Sequence, residues 1–213
     1  MTAPKFLKFV LVTSVVIGCL AIGSSFAGPK PPMVPSPGVW QVDIAIHGSP
    51  EQITVTMPGE KKTRTFWYLL YTITNNSGQD VDFHPSFELM TNTFRIYKAD
   101  SKVVKPVYDK IQKLYENKFP LLEPINMVSG KILQGKDNAR DCVAIFEDFD
   151  PNAKTAKIFI TGLSNESTET KHPINNKKVL LLKTLMIEYQ VPGDAINPEK
   201  RVLLSRDRSW VMR

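Results

Sequence analysis

The sequence predicts a mainly β fold, an antiparallel β-sandwich carrying one inserted amphipathic helix. Three observations lead there. Residues 66–75, FWYLLYTITN, are rich in aromatic and β-branched types and are followed at once by Asn76-Ser77-Gly78, the pattern of a strand stopped by a tight reversal. Runs of period-two alternation recur before and after it, separated by Gly, Pro, Asn and Asp turns. The period shifts to that of a helix over residues 107–119.

The chain opens on an export signal. Lys5 and Lys8 precede an almost wholly apolar run over 9–22, and Ser25-Phe26-Ala27 fits a small-x-small cleavage site, which starts the mature chain at Gly28. The run is short for a membrane span, which needs roughly 20 apolar residues. Val16-Ile17-Gly18-Cys19 offers an alternative, a lipobox that would anchor the chain by lipid at Cys19. Leu20, Ala21 and Ile22 oppose it by carrying on the apolar run. Residues 28–38, GPKPPMVPSPG, hold five prolines and read as an extended, semi-rigid tether. A single sandwich domain is assigned to residues 39–213.

In that domain Trp40, Val42, Ile44 and Ile46 alternate with Gln41, Asp43, Ala45 and His47, and Ile53, Val55 and Met57 alternate with threonines, giving two half-buried strands. In the strand over 66–75, Trp67, Leu69, Tyr71 and Ile73 mark one face; Phe66, Tyr68 and Leu70 mark the other. Apolar on both sides, it reads as a central strand covered on both faces. Val81, Phe83, Phe87 and Leu89 continue the alternation, with Pro85 on the apolar parity, so this strand is bulged or lies at an edge. Residues 94–99 form a shorter strand.

Over 107–119, Val107, Ile111, Leu114 and Tyr115 make an apolar stripe, with Pro106 at the start and Pro120 at the end. This helix is expected to cap an open end of the core. Strands follow at 131–133, 141–146 and 155–163. Residues 164–178 are polar and turn-rich and read as a mobile loop. The run 179–191, VLLLKTLMIEYQV, is the longest strand, and 201–205 is a last strand before a basic tail. The short strands and turn spacing are those of an immunoglobulin-like sandwich.

Removing residues 1–27 leaves 186 residues, enough for a sizeable core. It leaves 25 basic against 21 acidic residues, a balance of +4, far below a nucleic-acid signature. Cys142 is then alone, so no intramolecular disulfide forms; inside CVAIF it reads as a buried, inert thiol.

The order of a strand ending in Asn75-x-Ser77-Gly78, an acidic-aromatic strand, a long excursion and Gly135-x-Asp137-x-x-x-x-Cys142-Val-Ala-Ile-Phe resembles a loose group. These are the immunoglobulin-like β-sandwich domains of bacterial exported proteins and lipoproteins of unknown function. The stretches 68–78, 81–89 and 135–146 carry the resemblance. It implies a sandwich and brings no catalytic residue. The helix and the loop near 168–178 depart from the pattern.

His47, His84 and His172 show no metal-ligand spacing with one another, with Cys or with acids. Glu147, Asp148 and Asp150 lack the ladder of a calcium loop and read as a solvated turn. There is no Gly-x-Ser-x-Gly elbow and no phosphate-cradling glycine pattern. No catalytic, cofactor-binding or metal residue is therefore assigned, and no cofactor. Arg206, Arg208, Trp210 and Arg213 are the candidate partner-binding residues, an aromatic anchor among arginines. Trp210 tucked into the core by a C-terminal strand is the competing reading.

The reading is a non-catalytic exported domain, periplasmic or extracellular, that binds a protein or cell-envelope component. It binds no nucleic acid, and meets a membrane only if lipidated at Cys19. An extracytoplasmic hydrolase with a sequence-dispersed site and a periplasmic metal carrier are the alternatives.

Overall fold

The computed structural model describes residues 38–100, 105–192 and 202–213; the predicted signal and all of the predicted tether but Gly38 lie outside them. Of the described residues 51% are in strands and 11% in helices, so the chain is mainly β, with antiparallel sheets and no barrel. In chain order the strands are β1 (Asp43–Ile46), β2 (Glu51–Thr56), β3 (Thr63–Thr74), β4 (Val81–Phe83), β5 (Ser86–Thr91), β6 (Ile96–Lys98), β7 (Glu123–Pro124), β8 (Gly130–Ile132), β9 (Arg140–Glu147), β10 (Thr155–Thr161), β11 (Ser167–Lys171), β12 (Lys178–Gln190) and β13 (Leu204–Met212).

β1 and β2 both pair with β3, which pairs onward with β9; β9 takes the two-residue β7 in the one parallel pairing among these. In the second sheet β12 pairs with β10, β11 and β13, and β10 continues to β5 and β6. The two sheets share one core. Trp67, Leu69, Tyr71 and Ile73 of β3 meet Phe87 and Leu89 of β5, Ile158 and Ile160 of β10, and Leu185 and Ile187 of β12. Tyr71 and Phe87 stack across it with ring centres 4.7 Å apart.

The other face of β3 is covered too. Phe66, Tyr68 and Leu70 pack with Ile53 and Val55 of β2, Val143 and Ile145 of β9, and Val107 and Ile111 of helix α1 (Lys105–Tyr115). β3 is therefore the two-sided central strand its sequence describes. The helix is not at an open end of the core, as expected, but on the outer face of the first sheet, because that face is apolar. It also ends earlier than residue 119: the N–H groups of Lys118 and Phe119 close onto the Tyr115 carbonyl. Leu114, expected in its stripe, is 61% exposed. The last turn is held instead by Tyr115, whose hydroxyl donates to Glu51 at 3.2 Å and meets Tyr68 at 3.1 Å. A second, four-residue helix α2 (Ile125–Val128), which the sequence did not announce, follows β7. None of the described helices is long and apolar enough to cross a membrane.

The strand expected across 81–89 is two strands in different sheets. Val81, Phe83, Phe87 and Leu89 are all buried and keep parity, but the chain breaks at His84-Pro85. β4 pairs with β8 in a small sheet while β5 joins the second sheet. Pro85 has no N–H to give to a ladder. Gly162, at φ +84°, lies under this corner, where a Cβ would collide with the His84 carbonyl.

Two further expectations are corrected. The loop expected at 164–178 contains β11, paired with β12 over Ser167–Lys171. The basic tail is itself the last strand, β13, and not a segment after it; a register shift between Glu188 and Tyr189 leaves Arg206 as the extra residue of a β-bulge.

Candidate functional site

β12 is longer than its neighbours need. β10 pairs with it only from Leu185 onward, and Arg213, after β13, exchanges backbone hydrogen bonds of 2.8 and 3.1 Å with Leu182. Residues 178–181 are thus paired with β11 alone, and the β11–β12 hairpin outruns the body. Leu180 and Leu182 on it are 59% and 41% exposed, and Ile174 at its tip is 88% exposed. The tip is closed tightly. The His172 N–H donates to the Lys177 carbonyl, the Asn176 N–H to the His172 carbonyl, and the Ile174 N–H to His172 Nδ1. Lys171, Lys177 and Lys178 are exposed around it, and Lys178 pairs with Glu169 at 3.0 Å.

The base of the hairpin is fixed by a buried ion pair. Lys183 Nζ donates to Glu166 Oε2 at 2.7 Å, and the ammonium faces the Trp210 ring at 5.3 Å. A desolvated pair of this kind is costly to break by removing one partner, so the base of the hairpin is anchored beside β13.

The predicted partner-binding residues are spread along β13. Trp210 is half-buried and packed on the core. Arg213 pairs with Glu88 at 2.8 Å and lies 4.2 Å over the Phe159 ring. Arg208 donates to the Ile44 carbonyl at 3.3 Å, tying β13 to β1. Arg206 is exposed on the bulge. Only Trp210 and Arg213 stand beside the hairpin.

A cleft of about 420 Å³ opens beside α1, lined by Asp100, Lys105, Tyr108, Pro124, Met127 and Ile145 among others. Asp100, at φ +56°, donates its N–H to the Ile145 carbonyl at 2.8 Å. Its carboxylate accepts the N–H groups of Ile145 and Ile125, each at 3.1 Å. Burial pushes this carboxyl up to about 6 against the two N–H donors, which favour its charge. Lys105 is paired with Asp109, and Tyr108 donates to the Leu122 carbonyl. The polar groups of the cleft hold the chain together, and its described lining includes no second carboxylate for acid–base work.

The histidines stand apart. His47 Nε2 lies 2.7 Å from Thr72 Oγ1, whose hydroxyl donates to Asp141 at 2.6 Å. This is not a nucleophile relay. The single hydroxyl proton goes to the carboxylate, so His47 Nε2 must donate, and nothing withdraws the proton from Thr72. His84 meets Ser129 at 2.7 Å, and His172 closes the hairpin tip. Among the described residues no group of three His, Cys, Asp or Glu could hold a metal ion.

Of the acids of 147–150, Asp148 is exposed and Glu147 half-exposed, as a solvated turn requires, and only Asp150 is buried. Glu147 pairs with Arg64, Asp148 accepts the Trp67 indole N–H at 2.9 Å, and buried Asp150 accepts from the Asn152 N–H and Thr93 hydroxyl. Those two donors hold the Asp150 carboxyl below its usual range. Cys142 is fully buried, and burial pushes its thiol up to about 12, as the inert reading requires.

The hairpin escaped sequence reasoning because Ser167–Lys171 carries no apolar residue. The run Val179-Leu180-Leu181-Leu182, too apolar to end in a solvated loop, was its one available signal. Comparison with known protein families, with curated proteins and with solved structures finds no match for this chain.

Proposed function

We propose that the chain is an exported, non-catalytic domain of immunoglobulin-like sandwich type that binds a protein or cell-envelope component through the β11–β12 hairpin. The observation that carries this is the exposure of Leu180 and Leu182 on a hairpin that outruns the sheets. Two leucines side by side on a rigid, lysine-flanked hairpin form the apolar centre and charged rim of a binding surface. Burying each against a partner is worth roughly 1 to 2 kcal/mol. The lysines favour an acidic partner.

The sandwich reading is supported by two antiparallel sheets around one core and by the path of the first strand. Gln41 bridges to Ser164 and the Val42 N–H donates to the Leu163 carbonyl before the chain joins β3, so it starts against the segment that links β10 to β11 of the second sheet and continues on the first. Export is supported by the signal pattern of residues 1–27. Gly38, where the tether enters, accepts from Asn165 at 3.2 Å, beside the base of the hairpin. Neither a hydrolase nor a metal carrier has a comparable observation behind it.

The test uses mature protein and the Leu180→Ser/Leu182→Ser variant as baits in a cell-envelope extract. A component retained by the first and lost by the second, with equal melting temperatures, is expected. Equal retention, or turnover of a substrate in an activity screen with nothing retained, overturns the reading.

A further inference from the structure

We propose that the open edge of β12 over residues 178–181 is a strand-addition site: it takes a short, extended, apolar segment of a partner protein as a further strand in line with β13. This rests on the reading of the hairpin as the binding element and names its occupant.

Alternate residues of a strand aim their N–H and C=O groups at opposite edges. In β12 the odd-numbered residues face β10 and β11. The Lys183 N–H donates to the Glu166 carbonyl at 2.9 Å, and beyond the strand the Val191 N–H donates to the Lys154 carbonyl at 2.8 Å. The even-numbered residues face β13, and the last of them to be paired is Leu182, by its two bonds with Arg213. Past that point the N–H and C=O groups of Leu180 and Lys178 point to an edge on which no strand of the described residues stands. Two donors and two acceptors repeating at about 7 Å are the complement of another strand's backbone.

The two edges of the hairpin are built differently. On its outer edge β11 presents Ser167-Thr168-Glu169-Thr170-Lys171, polar throughout and charged in both signs. Natural sheet edges are guarded against added strands in this way. The open edge of β12 runs Val179-Leu180-Leu181-Leu182, with no charge between Lys178 and Lys183. Leu180 and Leu182 are exposed on one face; Val179 and Leu181, half-buried, lie on the face that continues into Leu185 and Ile187. A run apolar on both faces marks the interior of a sheet. β3 has that composition and a neighbour along each edge; β12 has it here with a neighbour along one edge only.

The occupant follows from these groups. Arg213 bounds the edge at one end and the hairpin tip bounds it at the other, so the added strand has room for about four residues. It is apolar on both faces, to lie beside Leu180 on one side and Val179 and Leu181 on the other. Lys177 is exposed and has no ion-pair partner among the described residues, so an acid is favoured at the end of the segment that it meets. A membrane surface offers no such ladder of N–H and C=O groups. A second copy fits poorly: with the two edges paired about Val179, its Asn176 falls opposite Leu182, where Arg213 already stands.

A random linear-peptide library panned against the mature protein supplies the probe. Enriched peptides are expected to carry a short run of Val, Ile, Leu or Phe and to lose about tenfold or more in affinity for Leu180→Ser/Leu182→Ser. Backbone N-methylation of such a peptide, one residue at a time, should cost about tenfold at every second residue of the run and little at the residues between. Amide exchange followed by NMR should slow about tenfold or more at the Lys178 and Leu180 N–H groups when the peptide binds. Peptides lost by the hairpin variant without that alternation, or without protection of those two amides, overturn strand addition and leave the hairpin reading standing. Peptides that bind the variant and the parent equally overturn both. No enriched peptide, or a mature protein that sediments as a dimer and becomes monomeric as Leu180→Ser/Leu182→Ser, overturns the proposed occupant.

Discussion

Asn75 and Gly135, distant in the chain, are joined by a 2.9 Å hydrogen bond from the Gly135 N–H to the Asn75 carbonyl. The end of β3 and the loop before β9 thus touch. The Asn75 side chain is fully buried and fully used: its amide donates to the Gln79 and Ile132 carbonyls, and its oxygen accepts the Ser77 N–H and hydroxyl. Gly78 and Gln134 add a further bond of 2.8 Å. The motif pair is a clamp that ends β3 and starts the return toward β9.

Asn75→Ala leaves the buried Ile132 carbonyl and the Ser77 N–H without their partner and takes from the Gln79 carbonyl one of its two donors. A loss of about 3 kcal/mol is expected in urea unfolding. A loss below about 1 kcal/mol would show that water replaces the side chain and that the clamp is incidental.

On α1 the structure separates two residues that the stripe pattern treats alike. Ile111→Ala should cost about 3 kcal/mol, because Ile111 is fully buried over Phe66 and Tyr68. Leu114→Ala should stay within about 0.5 kcal/mol. Similar costs in thermal unfolding would place the helix elsewhere on the sheet.

Gly162→Ala places a methyl group into the His84 carbonyl and demands φ +84° of alanine. The corner at Pro85 is backbone on both sides and cannot swing away. A loss of at least about 2 kcal/mol is expected; a neutral or stabilising effect in calorimetry would mean the corner opens freely.

Asp100 predicts an unusual pH trend. Its carboxyl lies at about 6 when folded against 3.8 unfolded, so the folded state holds the proton more tightly between those values. Stability from this group is fully present below about pH 4 and is lost as pH rises through 6, by up to about 3 kcal/mol. Asp100→Asn does not titrate and keeps an acceptor for the Ile145 N–H. The wild type should therefore weaken relative to this variant between about pH 4 and 7; a constant difference across that range would refute the shift.

What the sequence made legible is what burial dictates. β3 was readable because both faces are apolar, and β12 because its apolar run is long. The helix was readable in period but not in placement, since one stripe cannot say which surface it covers. β4 and β5 look like one strand in the sequence because parity survives the corner at Pro85 while the sheet does not. β11 is invisible because its residues are polar on both faces, and β13 is legible only as the competing reading that tucks Trp210 into the core, because its arginines hide an alternation completed by Trp210 and Met212. Asp100 and Asp150 owe their roles to groups brought together by the fold, and single residues leave no pattern.

The most direct test of a binding hairpin is titration calorimetry of the component retained from envelope extract against two proteins: the mature chain and Leu180→Ser/Leu182→Ser. The account predicts about a tenfold or greater loss of affinity for the hairpin variant. Equal affinity for the mature chain and the hairpin variant would contradict it.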